Sequence, residues 1–82
     1  MTNRETYTQI FKTVFDVDES VLDEQFNFKD ITAWDSITHL TLIGELENSF
    51  NILFETDDIL NFGGFCNGMR ILNKYGVSFE EE

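Results

Sequence analysis

Apolar positions along the chain fall into helical stretches separated by irregular segments. Tyr7, Ile10, Phe11, Val14 and Phe15 recur at the i, i+3, i+4, i+7, i+8 spacing that lines one face of a helix. That helix is expected to start near Thr2 or Asn3, with Glu5 in its first turn, and to end by Asp16. Over 16–34 the period is lost: Asp16, Asp18, Glu19 and Asp23 alternate irregularly with Val17, Val21 and Leu22, and Phe26, Phe28 and Ile31 follow. Connections of this length usually have a function or packing of their own. Its apolar residues can pin the loop across helix ends, so an ordered loop is expected, with a short helical turn around 20–23.

Helical spacing resumes after Trp34. Asp35 and Ser36 can both start a helix, because their side-chain oxygens can accept hydrogen bonds from the unpaired N–H groups of a first turn. The predicted second helix runs over 36–50. Leu42, Ile43, Leu46 and Phe50 form its core-facing stripe, into which His39 points. Ile37, Thr41, Gly44 and Asn48 occupy the opposite, solvent-facing side. Positions 51–55 read as a loop anchored by Ile52, Leu53 and Phe54. Thr56 is placed to cap a short helix carrying Asp57, Asp58, Ile59, Leu60 and Phe62, which Gly63-Gly64 ends. A last helix over 65–75 puts Phe65, Met69 and Leu72 on one face. Gly68 inside it costs about 1 kcal/mol relative to Ala, which close packing would explain. Gly76 suits a C-terminal cap, and 78–82 reads as a frayed acidic tail. No segment reads as a strand. The expected fold is a single all-α domain over 1–82: a small four-helix bundle with three longer helices, a short third helix and a long ordered first loop.

Composition refines this picture. A chain of 82 residues buries only a modest core, but nine Phe, two Tyr and one Trp make that core aromatic. Sixteen Asp and Glu against five Lys and Arg give a formal net charge of −11. Nucleic acid and anionic membranes are therefore poor partners, since binding them rests on Lys and Arg. A basic protein surface is the natural counterpart. The single cysteine, Cys66, excludes an internal disulfide and reads as a small core residue. No apolar run reaches membrane-spanning length and no leader is recognisable, so a cytoplasmic location and no membrane insertion are expected.

Few residues point to catalysis. There is one His, His39, on an apolar stripe, and Gly63-Gly64 lacks the Lys and spacing of a phosphate-binding loop. His39 reads as a partly buried histidine with one hydrogen-bond partner; the alternative sets it at the rim of a cavity beside Ser36. An EF-hand counted from Asp16 fails, because Val21 and Asn27 stand where the Gly and the final Glu belong. No metal site is expected. Ser36 itself has two readings. At a helix N-terminus it can be an ordinary cap, or it can carry a negative substituent in the field of the helix dipole.

Taken together, the chain resembles the acyl carrier protein family along nearly its whole length. Asp35-Ser36-Ile37 is similar to the family's Asp-Ser-Leu attachment motif at the start of its second helix. Leu42-Ile43, Leu46-Glu47 and Phe50 follow in the family's register, Asp57-Asp58-Ile59 matches its short acidic helix, and Phe28 fits an aromatic position before the motif. The resemblance implies a non-catalytic monomeric carrier. Ser36 would hold a 4′-phosphopantetheine arm, donated by coenzyme A through a phosphopantetheinyl transferase, and the arm would carry acyl cargo as a thioester. Asp35, Ile37 and Glu47 would help dock acyl-loading and acyl-transferring enzymes with basic surfaces. The chain departs from the family in Ala33-Trp34, where Gly often precedes the Asp, in the neutral Thr38 and Thr41, in Gly44, and in Phe54-Glu55. These departures point to a specialised pathway rather than housekeeping fatty-acid synthesis. Two alternatives stay open: an aminoacyl or peptidyl carrier, and an acidic helical interaction module that is never modified.

Overall fold

Thr2 opens the first helix with a reciprocal cap. Its hydroxyl accepts from the Glu5 N–H while the Glu5 carboxylate accepts from the Thr2 N–H. The structure, a computed structural model, describes residues 2–79. Four α-helices follow in order: α1 (Asn3–Phe15), α2 (Ser36–Phe50), α3 (Thr56–Asn61) and α4 (Phe65–Lys74). A single 3-10 turn, Glu19–Val21, interrupts the long first loop, close to the expected helical turn. There is no strand among the described residues; one isolated antiparallel bridge joins Asn27 to Gly64. The fold is thus the all-α four-helix arrangement expected.

Both longer helices stop the same way. Asp16 after α1 and Asn51 after α2 take left-handed backbone (φ 55° at each), which Asp and Asn tolerate better than most side chains, and each N–H turns back to a carbonyl of the last turn. Gly76 takes φ 87° after α4, as a C-terminal glycine should.

The core is built from the predicted faces plus residues that periodicity could not assign. Tyr7, Ile10, Phe11 and Phe15 of α1 meet Leu42, Ile43 and Leu46 of α2. Trp34, from the loop, is among the most buried side chains, 1% exposed, and its ring lies within 6 Å of Phe11, Phe15 and Phe26. Fully burying each large apolar side chain contributes about 1.5–3 kcal/mol. The loop is ordered by local turns around Asn27, whose side chain bonds Asp30, and by two backbone bonds to the start of α4, Phe28 N–H to Gly63 C=O and Phe65 N–H to Phe26 C=O.

Several expectations are corrected in detail. Glu55, not Thr56, is the residue before α3, and Thr56 is helical; no side chain caps that helix. α4 buries Gly68, Ile71 and Leu72 beside Phe65, whereas Met69 is only partly buried. The close packing expected at Gly68 is present: a Cβ there would overlap the Phe62 ring and the Tyr7 hydroxyl. Leu53 is no anchor, being 82% exposed, because Phe54 turns inward in its place. Phe28 lies half exposed instead of pinning the loop to the core. Positions 78 and 79 are tied to α1 and not frayed: Asn3 donates to the carbonyl of the exposed Ser78, and Phe79 lies edge-on to Tyr7. Glu80, Glu81 and Glu82 of the expected tail lie outside the described residues.

Candidate functional site

The start of α2 divides two roles between adjacent residues. Asp35 is the cap: it holds extended backbone and its carboxylate accepts the Thr38 N–H at 2.8 Å. That hydrogen bond holds the Asp35 carboxyl below its ordinary range. Ser36 is the first helical residue and is exposed. Its hydroxyl makes no hydrogen bond among the described residues, so the capping reading applies to Asp35 and not to Ser36. The positive end of the helix dipole lies at this first turn.

Ser36 opens onto a cleft of about 310 Å³ between α2 and α3, lined by Phe28, Ser36, His39, Leu40, Ile59, Leu60 and Phe62. A larger groove, about 550 Å³, runs along α1 and is lined by Thr2, Arg4, Glu5, Thr8, Gln9, Lys12 and Glu19, none of them a predicted site residue. His39 lines the α2–α3 cleft, as the rim reading expected, and it has two hydrogen-bond partners instead of one. Trp34 Nε1–H lies 3.0 Å from His39 Nδ1, and His39 Nε2 lies 2.7 Å from the Ile59 carbonyl. The Phe28 ring stacks over His39 and Trp34, with centroids 6.3 and 6.4 Å away. Phe28 thereby offers a flat apolar wall beside the serine.

α3 is too short to be stable alone and is held at two points. His39 grips it through Ile59 O. Asp58, 8% exposed, accepts from Lys74 Nζ (2.6 Å) and from the Tyr75 hydroxyl (2.5 Å), and the same hydroxyl accepts the Glu55 N–H. The Lys74 and Tyr75 bonds hold the Asp58 carboxyl below its usual range, and the same hydrogen bonds, with its charge, raise both partners.

The expected docking residues fare unequally. Ile37 is 79% exposed and Asp35 is exposed, both flanking Ser36. Glu47 is only partly exposed, and its carboxylate accepts the Phe54 N–H at 2.9 Å, tying the α2–α3 loop. Leu40 and Leu60, 64% and 75% exposed, were missed; they stand on either side of the cleft. The signal for Leu40 was available, since it lies one helical turn beyond Ser36. Leu60 sits in a helix too short to show a period. Cys66 is partly buried against the core and carries no partner cluster; no group of three or more potential metal ligands occurs among the described residues. No helix among them is long and apolar enough to cross a membrane. Compared with family models, curated proteins and solved structures, the chain matches none.

Proposed function

We propose that the chain is a phosphopantetheine-dependent acyl carrier, with the arm on Ser36. One observation carries this reading: Asp35 caps α2, which leaves the Ser36 hydroxyl unbonded and exposed at the mouth of an apolar cleft. In the modification the Ser36 oxygen gains the phosphopantetheinyl group of coenzyme A and loses its proton, while the nucleotide portion of coenzyme A leaves. The resulting phosphodiester sits at the positive end of a 15-residue helix. The carrier performs no chemistry on its cargo. It presents a thioester to partner enzymes, and its net charge of −11 favours brief encounters with basic docking surfaces.

The exposed Ile37, Leu40 and Leu60 also suit an unmodified interaction module. Intact-mass measurement after incubation with coenzyme A and a broad-specificity phosphopantetheinyl transferase separates the two. A carrier gains one phosphopantetheine, whereas a module gains none.

A further inference from the structure

The cleft at Ser36 is closed at its inner end. Phe62 lines it and is fully buried. The far side of the Phe62 ring fills the space that a side chain at residue 68 would take, and further rings surround it: Phe54 with its centroid 5.9 Å away and Phe11 at 6.5 Å. Trp34, beside the cleft, is packed against Phe11, Phe15 and Phe26. A chain pushing inward would have to displace rings packed at interior density, which costs as overpacking does. At about 310 Å³ the cleft lies at the small end of ligand pockets, which span roughly 300–1,000 Å³. Part of that space belongs to any tether rising from Ser36.

The lining also sets the chemistry. It contains no Asp, Glu, Lys or Arg, and both His39 ring nitrogens are already bonded. A carboxylate or ammonium on the bound group would lose water and find no partner. Leu40 and Leu60 at the opening, and the face of Phe28, offer apolar contact instead.

We propose that this cleft selects a short, uncharged acyl group, held against Phe28, Leu40 and Leu60, and excludes longer chains from the helical bundle. The proposal rests on the carrier reading and defines its cargo class. Its test loads Ser36 with acyl-phosphopantetheine from acetyl-, butanoyl-, succinyl-, octanoyl- and dodecanoyl-coenzyme A, confirms each product by intact mass, and records methyl NMR spectra. Butanoyl is expected to shift the Leu40, Ile59 and Leu60 methyls several-fold more than succinyl. Octanoyl and dodecanoyl are expected to add nothing at Leu46, Ile71 or Leu72. Large shifts of those core methyls with dodecanoyl, or equal shifts from butanoyl and succinyl, would overturn the proposal while leaving the carrier reading standing. Failure to load any acyl arm would overturn both.

Discussion

Trp34 donates its indole N–H to Nδ1 of His39 across 3.0 Å. An indole can only donate, so Nδ1 must accept and the ring proton must sit on Nε2, which donates to Ile59 O at 2.7 Å. One neutral imidazole thus joins the end of the long loop, the first turns of α2 and the C-terminal half of α3. Replacing it with an apolar ring of similar shape, His39→Phe, preserves the packing but strands the buried indole N–H. A loss of about 1–3 kcal/mol is expected. Urea unfolding measures it, and amide exchange should quicken in α3 before it does in α1. An unchanged midpoint would mean that the bond contributes nothing net.

The two glycines inside helices should respond oppositely. Gly44 of α2 faces open space, so Gly44→Ala gains up to about 1 kcal/mol from helix propensity. Gly68 of α4 is backed by Phe62 and Tyr7, and the same substitution there meets an overpacking cost of about 1–3 kcal/mol that outweighs the propensity gain. Paired denaturation midpoints should move up for the first variant and down for the second.

Asp58 makes stability depend on acid. Its pKa in the folded state is lowered by Lys74 and Tyr75, so the folded state favours the ionised form. The stability it contributes is fully present above the ordinary aspartate pKa and is lost as pH falls through the lowered native value. In Asp58→Asn that part of the acid slope should vanish: the variant is less stable than the parent at neutral pH, and the gap narrows on acidification. Thermal melts of both proteins along a pH series check this. A gap that stays constant to the lowest pH would remove Asp58 from the account.

The hydrogen-bond networks of His39 and Asp58 join residues far apart in the chain, which no local pattern shows. The α2 helix was legible at both ends, because Asp35-Ser36 starts it and the residues from 37 to 50 keep a helical period. The place of Ser36 at the helix start was legible for the same reason, although which of the two residues caps the helix was not. The place of Trp34 could not be read, because the loop that delivers it has no period and its partners Phe11 and Phe15 lie far back in the chain. The burial of Asp58 depends on Lys74 and Tyr75, sixteen and seventeen residues later. In 51–55 every apolar residue looked alike, yet the backbone turns Phe54 inward and leaves Leu53 in solvent. Local propensity and period set the helices, while tertiary contacts chose among residues that looked equivalent.

Asp35 caps α2 and leaves the Ser36 hydroxyl free for modification. The most direct test of that modification is tandem mass spectrometry of the protein after incubation with coenzyme A and a phosphopantetheinyl transferase, beside the Ser36→Ala variant. The expected result is a single phosphopantetheine located on Ser36 and none on the variant. An unmodified parent, or equal modification of the variant, would contradict it.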